Sequence, residues 1–275
     1  MALVKDLGNL KGSVLLFGGP YSNLEATCAL FKHADQLGIA RANRICTGDL
    51  VAYCANPVET IAMVRQRGGP VVAGNCEKQL AQGAPDCGCG FADGSACSTL
   101  SRDWYSYARA RVSVQDCAFM ADLPDRLVFR YVGKRYAVIH GGASDISRFI
   151  WPCSPEVEYL REIKLLEAEL GSIDGVISGH SGMAIDRNIG DVQWINAGAI
   201  GMPPNDGQAA TRFAILSGDG LVIETLTYDH SAAVKSMQMA GLTQGYHTAL
   251  AQGYWPSEDI LPTSLRRNAY SRAKG

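Results

Sequence analysis

Four short apolar runs in this chain each end at a glycine beside a side chain that can bind a metal ion. The four side chains are Asp49, Asn75, His140 and His180. In open α/β sheets, ligands bind just outside the carboxyl ends of the strands, so we expect these side chains to meet in one crevice. One carboxylate, one amide and two imidazoles form an N/O donor set, which predicts a metal site. A fifth run, at residues 14–19, ends in the same way but offers no ligand.

The first part of the chain alternates strand-like runs with helix-like segments. Strands are predicted at residues 13–17, 44–47 and 71–73, with helices beginning after Asn23 and at Pro57. Such alternation is typical of parallel strands with helices on the faces of the sheet.

From residue 126 the pattern changes to antiparallel pairing. A hairpin is predicted from residues 127–132 and 136–139, and later strands are predicted at 175–178, 192–196, 213–217 and 221–227. Ser154-Pro155 is predicted to cap a helix whose apolar face begins at Val157.

Parallel units followed by hairpins predict an α/β fold in which two mixed sheets stack face to face with helices outside. This is a four-layer α-β-β-α sandwich. We predict one domain over residues 1–275, because no linker-like segment divides the chain. It carries a Cys-rich insertion with helices at about 83–121 and a helical and irregular tail from about 229.

Charge and composition exclude several classes of partner. The net charge is -2 and the pI about 6.2, so neither nucleic acid nor an anionic membrane is expected as a main partner. The amino terminus does not resemble a signal peptide, and no apolar run is long enough to span a bilayer. Nine cysteines in such a chain are expected to be reduced thiols, so the predicted location is cytoplasmic.

The spacing of these motifs resembles that of the calcineurin-like metallophosphoesterases, in particular the bacterial phosphodiesterase and diadenosine-tetraphosphatase-like branch. The resemblance extends from about residue 13 to 227 and implies the four-layer fold. The matching motifs, in chain order, are Gly48-Asp49, Gly74-Asn75-Cys76-Glu77, His140-Gly141 and Gly179-His180-Ser181.

The sequence departs from this family at the ligands of one of its two metal ions. The first family motif, Asp-x-His, has Gly19 and Tyr21 in place of its Asp and His, and Gly182 replaces the last His. The resemblance therefore implies one retained site, formed by Asp49, Asn75, His140 and His180. Its ion would be a divalent transition metal, and Mn, Fe, Zn and Ni remain open.

The implied activity is hydrolysis of a phosphodiester or nucleotide phosphate, weak or specialised because one ion is missing. The alternative is a non-catalytic protein that binds metal, phosphate or a partner on the same scaffold. Catalytic roles are predicted for Asn75, His140, Glu77 and Cys76, with Glu77 orienting neighbouring groups. The expected partner is a small phosphorylated substrate or nucleotide, and a homo-oligomer is implied by the resemblance alone.

Several of these side chains also have a purely structural interpretation. His140 and His180 could be hydrogen-bonded core histidines, Asp49 could cap a loop, and Asn75 could cap the following helix. Tyr21 could fill the space of the missing ion.

Two groups of side chains, one near Tyr21 and one of cysteines, have both a structural and a functional interpretation. The hydroxyl of Tyr21 or Ser22 could instead contact a phosphate, and Asn23 is placed with them as a predicted substrate-binding residue. A second group, Cys87, Cys89 and Cys97, could form a structural zinc site or be free buried thiols.

Overall fold

Two β-sheets form the centre of the protein in the computed structural model, which describes residues 2–92 and 94–267. The smaller sheet has the strand order β10-β9-β2-β3, with β2 and β3 parallel and β9 antiparallel to both β2 and β10. Its strands are β2 (Val14–Phe17), β3 (Arg44–Cys46), β9 (Thr211–Ser217) and β10 (Gly220–Leu226).

The larger sheet has six strands in the order β1-β4-β5-β6-β8-β7. Strands β5, β6 and β8 run parallel, whereas β4–β5 and β7–β8 are antiparallel pairs. The strands are β1 (Val4–Asn9), β4 (Arg126–Tyr131), β5 (Lys134–Val138), β6 (Gly175–Ser178), β7 (Ala184–Ile189) and β8 (Val192–Ala197).

Helices cover the outer faces of both sheets. Ile163 and Leu166 of α6 pack with Trp194 on the larger sheet, and Phe31 of α1 packs with Phe213 on the smaller sheet. The helices are α1 (Leu24–Gln36), α2 (Pro57–Arg67), α3 (Asn75–Ala81), α4 (Ala96–Arg109), α5 (Val114–Ala121), α6 (Glu156–Leu170), α7 (His230–Met239) and α8 (Tyr246–Gln252).

An apolar layer lies between the two sheets. Leu16 and Ala214 from the smaller sheet pack in one cluster with Leu127, Ile177 and Ile195 from the larger sheet. Side chains alternate across a strand, so the neighbouring positions of the same strands face the helices. The result is the predicted four-layer α-β-β-α sandwich of two mixed sheets.

Two local predictions were wrong. Residues 71–73 form only a single bridge, from Val71 to Cys46, because this segment turns into α3 after passing beside β3. The Ser154 hydroxyl accepts a hydrogen bond from the Trp151 N–H rather than capping α6. Helix α6 is rotated so that Tyr159 faces the sheet and Val157 is exposed.

The predicted insertion and tail both contain helices. Helices α4 and α5 follow the Cys-rich loop, and α7 and α8 follow β10. Among the described residues, none of the helices combines the length and the hydropathy that crossing a bilayer requires.

We predict that Leu16→Ala destabilises the protein by about 2–5 kcal/mol, because it opens a cavity in the layer between the sheets. The control, Leu165→Ala, removes the same atoms from an exposed position on α6 and should change stability by less than about 0.5 kcal/mol. Denaturant unfolding of both variants measures the difference. Equal effects would show that the two sheets do not pack through this layer.

Candidate metal centre

The four predicted ligands meet at one edge of the two sheets. Asp49 follows β3, His140 follows β5 and His180 follows β6, while Asn75 is the first residue of α3. Asp49 and His180 adopt positive φ angles of 56° and 59°, so each turns sharply away from its strand. Such conformations are uncommon outside glycine and concentrate at functional sites.

The ligand atoms converge on the Nε2 atom of His140. This nitrogen lies 3.2 Å from Asp49 Oδ2, 3.0 Å from Asn75 Oδ1 and 3.1 Å from His180 Nδ1. Across the described residues, Asp49, His140 and His180 form the one group of three acidic, His or Cys side chains close enough to share an ion.

The hydrogen bonding of His140 shows why these atoms suit a cation. Its Nδ1 lies 2.6 Å from the Thr47 carbonyl oxygen, which can only accept, so Nδ1 carries the proton. In neutral His140 the Nε2 lone pair then faces the oxygens of Asp49 and Asn75, which also carry lone pairs. A proton on His180 Nδ1 would form a hydrogen bond with His140 Nε2, but the oxygens of Asp49 and Asn75 would still face this nitrogen without a donor. A positive charge among the four atoms would interact favourably with all of them.

The amide of Asn75 is oriented by the Cys-rich loop. Its Nδ2 donates to the Cys87 carbonyl oxygen at 2.8 Å, which directs Oδ1 toward His140. Asn75 does not cap α3, because Gly74 occupies the N-cap position. A metal-binding imidazole or amide commonly has its other polar atom fixed by a backbone group in this way.

The electrostatics of the site also favour one positive charge. Burial opposes ionisation of Asp49, but the charge and hydrogen bond of His140 hold the pKa of Asp49 below its usual range. Burial likewise opposes protonation of His140, yet the negative charge of Asp49 raises its pKa. Burial and then the charge of His140 lower the pKa of His180 to about 3, so His180 is a neutral ligand. A divalent ion would supply the charge that a proton on His140 otherwise provides.

The Glu77 carboxylate links the loop that carries Asp49 to the loop that precedes Asn75. Its Oε2 accepts from the backbone N–H groups of Asp49 and Gly74, both at 2.8 Å, and its Oε1 accepts from Leu50 at 2.8 Å. The carboxylate is fully buried, and burial followed by the nearby charge of Asp49 raises the pKa of Glu77 to about 7. Glu77 therefore fixes the position of Asp49 and does not itself reach the converging ligand atoms.

Cys76 lies beside the site but within the core. Its backbone N–H is 3.4 Å from Asp49 Oδ1, and its buried thiol contacts the Asn75 amide. Burial, followed by the charges of Asp49 and Glu77, raises the pKa of Cys76 well above its usual value. The thiol stays protonated at neutral pH, so the structure places Cys76 as packing next to the ligands.

Tyr21 occupies the space between the two glycines that replace family ligands. A Cβ at Gly19 would collide with the Tyr21 ring, and one at Gly182 would lie 3.7 Å from the Tyr21 hydroxyl oxygen. The ring packs edge-on against Tyr53, with centroids 4.9 Å apart, and only 5% of the residue is exposed. The position of the Tyr21 ring therefore requires a glycine at position 19, whereas a Cβ at position 182 would be at ordinary contact distance.

The structure does not bring Ser22 and Asn23 to the metal centre. Both are fully buried. The Asn23 oxygen caps α1 by accepting from Ala26, and its amide donates to Gly201 and Tyr228. Its amide group is buried and hydrogen-bonded within the fold, so Asn23 has a structural role.

The three cysteines of the predicted zinc site do not form a metal-binding group in the described part of the chain. Cys87 and Cys89 are joined as a disulfide, so the expectation that all nine cysteines are reduced is wrong for this pair, and neither sulfur is a thiolate ligand. Cys97 is a free buried thiol in α4. The loop instead supplies the Cys87 carbonyl that holds Asn75.

An apolar pocket beside His180 was not predicted from the sequence. Aromatic and apolar side chains from separate loops form its wall, among them Tyr53, Phe149, Met202 and Trp255. The Phe149 ring lies 4.2 Å from the His180 ring, so the pocket and the metal centre adjoin. These residues share no motif or periodicity, and only the fold brings them together.

Comparison with known proteins identifies the family. A model of the calcineurin-like phosphoesterase superfamily domain matches residues 22–219, and the chain belongs to this superfamily. By its family the protein is a metal-dependent phosphoesterase, a hydrolase that acts on small phosphorylated substrates. A search of curated protein sequences finds no match.

Solved structures with the same fold cover nearly the whole chain. A metallophosphoesterase from Sphaerobacter thermophilus matches with a TM-score of 0.66 and 18% identity, over 89% of this chain and 100% of that one. A hypothetical protein from Pyrococcus horikoshii OT3 matches with a TM-score of 0.73 and 16% identity, over 88% of this chain and 98% of that one. At such identities the likeness establishes the fold.

We predict that Glu77→Gln weakens Mn²⁺ binding by about 10–100-fold and lowers stability by about 1–3 kcal/mol. The new amide NH₂ would face backbone N–H groups that now donate to a carboxylate oxygen. Titration calorimetry and denaturant unfolding measure the two effects.

The matched control is Glu59→Gln, which makes the same change at an exposed position in α2 and should alter neither quantity. If Glu77→Gln bound Mn²⁺ as tightly as the unmodified protein, Glu77 would not position the ligands.

Proposed function

We propose that the protein hydrolyses a phosphodiester or nucleotide phosphate with one divalent transition metal ion. The ion would be held by Asp49, Asn75, His140 and His180. The observation that supports this proposal is the convergence of three ligand atoms within 3.2 Å of His140 Nε2. Nitrogen and oxygen donors of this kind suit Mn, Fe, Zn or Ni.

Such an ion, when bound, supplies two effects: it polarises a phosphoryl oxygen and lowers the pKa of a bound water. The side chains and backbone of the protein orient the residues that would hold the ion. His140 is held in one tautomer by the Thr47 carbonyl, Asn75 is oriented by the Cys87 carbonyl, and Glu77 fixes the loop that carries Asp49. Glu77 is a positioning residue in this account, and Asn75 and His140 are the catalytic residues.

A single ion is proposed because Tyr21 occupies the region that would hold a second one. Its ring lies over Gly19 and its hydroxyl lies near Gly182, so both missing ligand positions face the same aromatic side chain. Two adjacent ions stabilise both the attacking and the leaving oxygen, which one ion does less completely. A slow or specialised activity follows.

The second candidate function is binding of metal and phosphate without catalysis. The observation that favours it is the burial of the ligands, since Asp49, Asn75 and His140 are each at most 5% exposed. Of the four side chains, His180 alone is partly exposed and lines the pocket, so a substrate phosphate would approach from its side. Metal binding without hydrolysis of any phosphoester would support this second function.

We further propose a single domain, a cytoplasmic location and a homo-oligomeric state, with neither nucleic acid nor a membrane as main partner. The net charge of -2 supports the exclusion of nucleic acid and membrane, and one family model over residues 22–219 supports a single domain. The location and the homo-oligomer rest on the family resemblance alone.

We predict that His140→Ala lowers Mn²⁺-dependent hydrolysis of ethyl p-nitrophenyl phosphate, a chromogenic diester with one compact ester group, by at least about 100-fold, because the converging donor set loses its central atom. Release of p-nitrophenol measures the rate. The matched control is His33→Ala, which removes a histidine of α1 that contacts Phe213 and not the metal centre. Activity that survives His140→Ala would place the chemistry elsewhere.

A further inference from the structure

The residues that line the pocket beside His180 restrict the charge of the substrate that can bind there. Among the described residues, no Lys, Arg, Asp or Glu side chain lines it. The nearby Arg148 is paired with Glu162 at 3.1 Å and belongs to a different surface pocket. An anion in this pocket would therefore find positive charge only at the metal centre.

The carboxylates at the metal centre limit the negative charge that a substrate can bring. Asp49 and the buried Glu77, which accepts from the Asp49 N–H at 2.8 Å, together carry as much negative charge as a divalent ion would carry positive charge. Each negative charge of a substrate would then lie among buried apolar groups without a compensating cationic side chain, which is costly. A monoanion is therefore favoured over a dianion.

The size and lining of the pocket determine which ester group of the phosphate can fit there. Its volume is about 50 Å³, and Tyr53, Phe149, Met202, Tyr246 and Trp255 are among the residues in its wall. A cavity that accommodates benzene measures about 150 Å³, so this pocket is smaller than a nucleobase requires. A short alkyl group fits both the volume and the apolar lining.

We propose that the pocket recognises a monoanionic phosphodiester with a compact apolar ester group, and that it discriminates against dianionic monoesters and against nucleotides. This inference rests on the proposed function, because it takes the phosphate to lie at the metal centre. It narrows the substrate to a charge and a size that neither the family nor the ligand set specifies.

The test measures binding to the Mn²⁺-loaded protein by titration calorimetry at pH 8 with three probes. Diethyl phosphate is a monoanion, ethyl phosphate is a dianion with the same ester group, and adenosine 3′,5′-cyclic phosphate is a monoanion with a bulky group. We expect diethyl phosphate to bind at least about tenfold more tightly than either of the others. Equal or weaker binding of diethyl phosphate would overturn the proposal.

A charge placed at the rim of the pocket should reverse part of this preference. Ser257 lines the pocket and is partly exposed, so Ser257→Lys can be accommodated and should strengthen ethyl phosphate binding by about tenfold. The matched control is Ser172→Lys, which adds the same charge at an exposed position remote from the pocket and should change nothing. Equal effects of both variants would show that the pocket does not contact the phosphate group.

Enlarging the pocket should relax the discrimination by size. Met202→Ala shortens a buried side chain of the wall, and binding of the cyclic nucleotide should improve about tenfold relative to diethyl phosphate. The matched control is Met239→Ala, because Met239 is 75% exposed at the end of α7. An unchanged ratio in Met202→Ala would contradict the assignment of the pocket to the ester group.

Failure of this inference and failure of the proposed function give different results. If Mn²⁺ itself does not bind, or binds equally well to His140→Ala, the proposed function is wrong. If Mn²⁺ binds and requires His140 but the three phosphate probes bind alike, the metal centre stands and only the selectivity of the pocket is wrong.

Discussion

The convergence of Asp49 Oδ2, Asn75 Oδ1 and His180 Nδ1 on His140 Nε2 is the constraint on which this site depends. In neutral His140, the only ring N–H, at Nδ1, donates to the Thr47 carbonyl oxygen. The Nε2 lone pair of His140 then faces the oxygens of Asp49 and Asn75. Such an arrangement is unfavourable in a buried site unless a positive charge lies among the atoms. The surrounding contacts keep it in place, because Glu77 and the Cys87 carbonyl fix the two oxygen ligands. The chain therefore maintains a geometry that suits a cation.

The region around Gly19 and Gly182, beside the converging side chains, is filled by the buried ring of Tyr21. Tyr21 alone would not fit, because a side chain at position 19 would collide with its ring. Gly19 and Tyr21 are therefore coupled by packing, and Tyr21 and Gly182 both line the adjoining aromatic pocket. The site thus combines a polar half, where Asp49, His140 and His180 converge, with an apolar half. This division is the basis for the proposals of a single ion and of a substrate of low charge.

The sequence predicted the elements that carry strong local signals and missed those that do not. Asp49, His140 and His180 follow apolar strands and Asn75 begins a helix, so the convergence of these four side chains could be inferred. Strand β1 is almost wholly exposed and shows no apolar alternation, and β7 places Asp186 and Arg187 between its buried isoleucines. Neither strand has a pattern that distinguishes it from a loop. The pocket depends on contacts between distant loops, and the carbonyls that orient His140 and Asn75 belong to the backbone, which has no sequence signature.

The central claim is that one cation binds at one place, and anomalous diffraction from crystals grown with Mn²⁺ tests it most directly. Data collected on both sides of the manganese absorption edge locate every bound ion. The account predicts a single peak per chain, bonded to Asp49, Asn75, His140 and His180. A second peak beside Gly19 and Gly182, or a single peak away from the two histidines, would contradict it.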